Sequence, residues 1–159
     1  FPKRYGGNVR VTIGKPETAR ENAVLLIKET LKREEHFFEQ FADLRSFMSS
    51  WRQVKKAEIQ GLVQAHGRLV AKAFPGRAAI LVALLGLSDA EIECVYEKPG
   101  SLKIGHYVPG TRIPIRSDEE MFPRLPSTDV LLNFAWHIPQ EIEDYLNEGN
   151  FRGKLVHIV

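Results

Sequence analysis

The spacing of hydrophobic residues changes once along the chain. From residue 17 to about residue 66, apolar residues recur at intervals of three and four, and charged residues fill the other positions. This spacing predicts amphipathic helices. No glycine or proline occurs between residues 17 and 60. We therefore expect one very long helix or two helices, with a break near residues 33–36, where the apolar stripe changes phase.

The helical segment carries an aromatic stripe, which consists of Phe37, Phe38, Phe41, Phe47 and Trp51. Such a stripe is typical of a helix face buried in a core. It also fits a surface that docks a partner, and the sequence leaves both interpretations open. A helical segment of this length is unusual in a compact domain, so it predicts an arm that packs against another body.

From residue 69 onward, short apolar runs alternate with helical segments. We expect strands at residues 69–74, 92–96, 113–115, 129–135 and 154–159, and helices at residues 78–87 and 139–148. Strands separated by helices predict βαβ units and a parallel sheet covered on both faces. The predicted fold class is α/β, a Rossmann-like, mostly parallel sheet with flanking helices, preceded by a long helical arm.

The opening residues predict a lone strand at 9–13. A lone strand needs a sheet, so it either joins the edge of the parallel sheet or ends a domain that lies upstream. We favour the second, because the chain starts without methionine and reads as a fragment. The predicted organisation is the end of an upstream core at residues 1–16, a helical arm at 17–66 and a Rossmann-like domain at 67–159.

Charge and composition narrow the range of possible binding partners. The net charge is +2 and the basic residues are interspersed with acidic ones, which argues against nucleic acid as a partner. The sequence has no apolar stretch long enough to span a bilayer and no signal peptide, so we expect a cytoplasmic protein that does not bind membranes. The single cysteine, Cys94, excludes an internal disulfide and a cysteine zinc site.

The turn Phe74-Pro75-Gly76-Arg77 is the first candidate site. A dinucleotide-binding turn needs three spaced glycines, and only Gly76 is present here. A free-standing nucleotide-dependent oxidoreductase is therefore disfavoured. The amides at the start of the following helix could still meet an anion, with Arg77 adding charge. A plain turn with Arg77 in solvent is the simpler interpretation.

Two more candidates follow later strands. The loop KIGHYVPGTRIPI, residues 103–115, contains Lys103, Tyr107 and Thr111, and the stretch NFAWHIP places Trp136 where a strand becomes a helix. Both lie where open α/β sheets bind ligands, beyond the carboxyl ends of strands. A structured loop and a core-capping tryptophan are the alternatives. The residues alone predict a ligand-binding or interaction domain without a catalytic centre.

Four stretches together carry a family resemblance. The segments AFPGRAAILVALLGL, KIGHYVPGTRIPI, DVLLNFAWHIPQEI and FRGKLVHIV resemble the C-terminal domain of sugar C-methyltransferases. The opening YGGNVRVTI resembles the end of that family's central methyltransferase domain. The resemblance implies methylation of a carbon of a nucleotide-linked deoxyketosugar by S-adenosylmethionine. It also implies that the S-adenosylmethionine site, the zinc site and the catalytic residues lie upstream, so this chain holds no cofactor.

The resemblance implies a substrate-side role without catalysis. The expected substrate-binding residues are Gly76, Arg77, Lys103, Tyr107, Thr111 and Trp136. Arg77 and Lys103 would meet phosphate charge, and Tyr107 and Trp136 the flat faces of a base or sugar. Expected partners are a nucleotide-sugar, the upstream methyltransferase domain and a second copy bound through the helical arm. The alternative is a structural or dimerisation module that docks through residues 37–62 and binds no ligand.

The chain departs from the family pattern at two points. The turn after the first strand is tighter than the family's glycine- and alanine-rich turn. After the second strand, Glu97 stands nearest to the place where the family tends to carry an aspartate. Both departures lie beyond the carboxyl ends of strands, where we expect the ligand to bind.

Overall fold

The fold is that of a computed structural model, which describes residues 13, 15 and 21–159. Most of the lone strand predicted at residues 9–13 lies outside the described residues, and Ile13 itself is exposed and not in a strand. The chain forms two compact units, whose boundary lies between Trp51 and Arg52.

The helices and strands predicted for residues 21–159 are present, and the structure adds a short helix and a 3-10 helix between the third and fourth strands, which the sequence analysis did not predict. The helices of the described part are α1 (Glu21–Glu34), α2 (Phe37–His66), α3 (Ala78–Leu85), α4 (Asp118–Met121) and α5 (Pro139–Glu148), with a 3-10 helix at Phe122–Ser127. The strands are β1 (Leu69–Lys72), β2 (Ile92–Glu97), β3 (Ile115–Ser117), β4 (Val130–Asn133) and β5 (Lys154–His157). The unit boundary therefore falls inside α2.

The helical segment consists of two helices, as the phase change of its apolar stripe indicates. α1 ends at Glu34 and α2 begins at Phe37, which confirms the break predicted at residues 33–36. In the first unit the aromatic residues of α2 are largely exposed: Phe38 keeps 92% of its surface and Phe41 keeps 62%. Phe37 and Phe41 pack edge to face, with ring centroids 5.9 Å apart.

The second unit contains a five-stranded sheet in the order β3-β2-β1-β4-β5. Every pairing is parallel, which confirms the α/β class. The chain moves outward from β1 to β3 and then crosses to β4 on the other side of β1. Because such crossovers are right-handed, α3 covers one face of the sheet, and α4 and α5 cover the other.

The core on the α4 and α5 face is apolar and closely packed. Val70 of β1, Cys94 of β2 and Leu131 of β4 lie in one buried cluster with Met121 and Leu146. Burial of these side chains removes their apolar surface from water, which is the main stabilising contribution to the fold. The sheet and its helices therefore give a rigid frame for the loops at its edges.

The third strand lies two residues later than predicted. The sequence predicts a strand at residues 113–115, whereas β3 covers Ile115–Ser117. The reason is that the chain before β3 folds back on itself. The carbonyl of Ile113 accepts a hydrogen bond from the Val108 amide, and Tyr107 forms an antiparallel bridge with Pro114. These residues are buried or paired by the loop, so continuous pairing with β2 begins at Ile115.

The first strand is also shorter than predicted. Residues 69–74 read as one strand, but β1 ends at Lys72 because Ala73 adopts a left-handed backbone conformation with φ of 62°. A positive φ is rare for a residue other than glycine and turns the chain away from the sheet. No helix of the described part has the length and apolarity needed to cross a membrane.

Candidate ligand-binding site

The strand order places the predicted ligand edge at a topological switch point. β1 is flanked by β2 on one side and β4 on the other, and the chains leaving β1 and β4 run to helices on opposite faces. A crevice opens between such diverging connections, and open α/β sheets bind ligands there. The turn after β1 contains Gly76 and Arg77, and the turn after β4 contains Trp136.

The turn after β1 is held by Glu97 and Lys103. The Glu97 carboxylate, at the carboxyl end of β2, accepts a hydrogen bond from the Phe74 amide. Lys103 donates from Nζ to the Phe74 carbonyl at 2.6 Å and to Glu97 at 3.2 Å. Both polar groups of the Phe74 backbone are therefore paired. This bonding fixes the turn that leads to Gly76.

A buried ion pair lies beside this turn, on the α4 and α5 face. Lys72, the last residue of β1, is 1% exposed, and Asp118, the first residue of α4, is 0% exposed. Lys72 Nζ donates to both Asp118 oxygens, at 2.8 and 2.7 Å. The Tyr145 hydroxyl of α5 donates to the same carboxylate at 2.7 Å. The Asp118 carboxylate thus joins β1, α4 and α5. They meet at the carboxyl edge of the sheet, which is the side on which the parallel strands end.

Burial changes the proton affinity of this cluster. Desolvation lowers the pKa of the Lys72 ammonium below its ordinary value of 10.5, and the hydrogen bond and charge of Asp118 offset part of that effect. Burial and the hydrogen bond to Asp118 raise the pKa of the Tyr145 hydroxyl above its ordinary value. Tyr145 therefore stays protonated and keeps donating to Asp118.

The loop of residues 103–115 folds into a hairpin-like cover for the outer edge of β3. The Gly105 amide donates to the Ile115 carbonyl and the Ile115 amide donates to the His106 carbonyl. The Thr111 hydroxyl donates to the Val108 carbonyl at 2.9 Å. The loop is therefore ordered by its own bonds, and it protects an edge strand that would otherwise have unpaired backbone groups.

Trp136 lies in the turn after β4 beside a buried amide. Asn133, the last residue of β4, accepts a hydrogen bond from the Ala135 amide at 2.8 Å, which fixes the turn. Its amide nitrogen contacts His157 Nδ1 at 3.0 Å. Trp136 is half-buried, and its ring meets the His137 ring edge-on at 5.5 Å. The indole is thus held at the switch point with part of its surface accessible.

The chain matches a known family. A family model described as the C-methyltransferase C-terminal domain matches residues 3–159. The chain belongs to this family. Among curated proteins, no relative matches the chain. The chain is therefore a methyltransferase-associated domain.

The six predicted substrate-binding residues of this C-methyltransferase C-terminal domain lie in three places. Gly76 and Arg77 are exposed in the turn after β1, and Lys103 reaches that turn through the Phe74 carbonyl. Tyr107 and Thr111 belong to the hairpin loop at β3. β3 is three strand spacings from β4, so they lie roughly 14 Å along the sheet from the end of the Trp136 strand. Their role in binding stays a prediction.

The C-methyltransferase C-terminal domain has no residue group suited to a metal or a dinucleotide within its described part. No group of three His, Cys, Asp or Glu side chains in that part could hold a metal ion. The turn after β1 has the single glycine Gly76, and the carboxylate at the end of β2, Glu97, is engaged by Phe74 and Lys103. Neither feature fits the dinucleotide fingerprint.

The sequence interpretation missed the buried cluster. Lys72 sits in the run LVAKAF, which reads as an apolar strand, and Tyr145 reads as part of the apolar face of α5. A signal was present, because a lysine inside a strand buried on both faces needs a carboxylate partner. The partner itself, Asp118, could be found only once the strand order was known.

Proposed function

We propose that this domain binds the nucleotide part of a nucleotide-linked sugar for a cytoplasmic, S-adenosylmethionine-dependent C-methyltransferase, without catalysing the transfer itself. The observation that carries the proposal is the switch point between β1 and β4. There, the turn of Gly76 and Arg77 follows β1, and the half-buried Trp136 follows the neighbouring strand β4. A cation and a flat ring in the turns after two neighbouring strands suit a phosphate and a base or sugar.

The roles differ among the candidate residues. Arg77 precedes α3 as its N-terminal capping residue and is exposed, and in this proposal its guanidinium meets the phosphate. Trp136 offers a stacking surface. Lys103 is engaged by Phe74 and Glu97, so its contribution is to hold the turn in shape. Tyr107 is exposed and would contact the outer part of a bound sugar.

The methyl donor and zinc are proposed to belong to the upstream part of the methyltransferase. Support comes from the resemblance to the family and from the turn after β1, whose proline and single glycine differ from a glycine-rich cofactor turn. In this proposal, the chain's own residues bind and orient the substrate. The chemistry of methyl transfer is supplied by S-adenosylmethionine bound elsewhere.

A fluorescence titration with thymidine diphosphate tests the proposal. The chain has two tryptophans, so Trp51→Phe leaves Trp136 as the only indole, and Trp136→Phe leaves Trp51. Trp51 is the matched control because it lies in α2, in the other unit. We expect a saturable fluorescence change in Trp51→Phe and none in Trp136→Phe. Adding Arg77→Gln to Trp51→Phe should weaken binding by about tenfold or more, as expected for a lost charged contact.

Calorimetry separates a silent fluorophore from absent binding. Heat of binding without a fluorescence change would mean that the nucleotide binds away from Trp136. No heat and no fluorescence change with thymidine diphosphate would refute the proposed function.

A second candidate function is a docking or dimerisation module. The observation that favours it is the exposed aromatic stripe of the first unit, where Phe38 is 92% and Phe47 is 63% exposed. Patches of exposed aromatic residues mark interaction surfaces more often than isolated apolar residues do. Such a module would join copies of the chain through α2.

Sedimentation over a range of concentrations tests this candidate. We expect a mass that rises with concentration and that falls to the monomer value in Phe41→Glu. Ile80→Glu is the control, because Ile80 is equally exposed, at 62%, but lies in α3, outside the proposed docking segment. A monomer at every concentration would rule out dimerisation.

A further inference from the structure

Three lysines lie at the carboxyl edge of the sheet, and two of them are paired with carboxylates. Asp118 pairs with Lys72, and Glu97 pairs with Lys103. The third lysine, Lys98, forms no ion pair among the described residues. Its charge contributes to lowering the pKa of Lys72, so its ammonium lies close enough to affect the buried pair.

Lys98 is held in place by an aromatic ring. It follows directly after β2, and its Nζ lies 4.7 Å from the centroid of the Tyr145 ring. The buried Lys72 Nζ lies 4.9 Å from the same centroid. The ring is itself fixed by the hydrogen bond from its hydroxyl to Asp118. A cation on an aromatic face is attracted by the ring quadrupole, which orders the Lys98 side chain.

The two lysines that contact the Tyr145 ring differ in their exposure to solvent. Lys72 is buried and paired, whereas Lys98 is exposed. The Lys98 ammonium is therefore accessible to a ligand. It lies beside the last residue of β1, which is in register with Asn133 of β4 across the switch point.

We propose that Lys98, ordered by Tyr145, is a phosphate-binding cation of this domain, and that its anion is the diphosphate of the nucleotide-linked substrate. The identity of the anion rests on the proposed function. Lysine binds phosphate as a compact point charge, and binding would neutralise the charge of Lys98. Lys98 would thus take the role that the sequence assigns to Lys103, whose ammonium is engaged in holding the turn.

Titration calorimetry with inorganic pyrophosphate and with thymidine diphosphate tests this inference. Lys98→Met should weaken the binding of both by about tenfold, and Lys98→Arg should restore most of the affinity. Lys154→Met is the matched control. Lys154 is also exposed but starts β5, at the opposite edge of the sheet. Circular dichroism should show that each variant is folded, since all three residue changes are at the surface.

The outcomes separate this inference from the proposed function. Equal affinity of Lys98→Met and the unchanged chain for thymidine diphosphate would overturn the role of Lys98 and leave the proposed function standing. Pyrophosphate binding that depends on Lys98, without tighter binding of thymidine diphosphate, would support the phosphate role and contradict the nucleotide specificity. No binding of either probe would overturn both.

Discussion

The buried ion pair makes a quantitative prediction about stability. Asp118→Asn removes the charge that compensates Lys72, while both positions remain buried at 0% and 1% exposure. Removing one partner of a buried pair costs about 3–5 kcal/mol, because an uncompensated charge is left out of water. A domain has about 5–15 kcal/mol of total stability. The variant should therefore lose a large part of its free energy of unfolding.

The complementary variant removes both charges. Replacing a buried pair by apolar residues is often neutral or stabilising, so Lys72→Met with Asp118→Leu should recover most of the loss. The Tyr145 hydroxyl would then lack its acceptor, which costs about 1–3 kcal/mol. Adding Tyr145→Phe removes this cost. The triple variant should be close in stability to the unchanged chain.

Urea unfolding followed by circular dichroism measures these differences. Glu119→Gln is the control, because Glu119 is the exposed neighbour of Asp118 in α4, and its change should stay within about 0.5 kcal/mol. A loss below about 1 kcal/mol in Asp118→Asn would refute the reasoning. A triple variant as unstable as Asp118→Asn would also refute the reasoning.

The pH dependence gives an independent check. Burial lowers the pKa of Lys72 in the folded chain below 10.5. Between that lowered pKa and 10.5, the unfolded chain binds more protons, so the contribution of Lys72 to stability rises with pH. Without Asp118, the pKa should fall further. The stability of Asp118→Asn should therefore rise more steeply with pH toward 10.5 than that of the unchanged chain.

Two further predictions concern packing and acid stability. Glu93 receives two hydrogen bonds from Arg124, at 2.8 and 3.1 Å, which lowers its pKa below 4.5. Its stabilising contribution is present above pH 4.5 and is lost as the pH falls through the lowered pKa. In urea unfolding, Glu93→Gln should thus cost about 0.2–1 kcal/mol at neutral pH and progressively less in acid, and an equal cost at every pH would contradict this. Gly153→Ala should destabilise the domain by about 1–3 kcal/mol or more, because its Cβ would overlap the backbone carbonyl oxygen of Thr128. Gly61→Ala, where nothing lies within 4 Å, should instead raise the thermal midpoint, and a similar effect of both would contradict the packing argument.

The periodic parts of the fold could be predicted from the sequence. The stripe that changes phase near Arg33 gave the break between α1 and α2, and the amphipathic run followed by Gly149 gave the bounds of α5. Both depend on local spacing and local stop signals. The parallel sheet followed from alternation of strands and helices. These features need no knowledge of distant contacts.

The site was less predictable because its residues meet through tertiary structure. Lys72 and Asp118 are 46 positions apart, and only the strand order β3-β2-β1 brings them together. The shift of β3 has the same origin, since the hairpin loop uses the carbonyl of Ile113 for its own bonding. Local sequence patterns predicted that a site lies at the carboxyl ends of the strands. They could not predict that Lys72 pairs with Asp118, because this pairing depends on the assembled fold.

The most direct test of the account is to map the binding of thymidine diphosphate by NMR amide shifts. We expect saturable shifts that cluster at the carboxyl edge, at Gly76 and Arg77, at Lys98, and at Trp136. Amides at the opposite edge, such as those near Arg68, should not change. Shifts confined to that opposite edge, or no shifts at a saturating nucleotide concentration, would contradict the claim that the carboxyl edge binds the nucleotide.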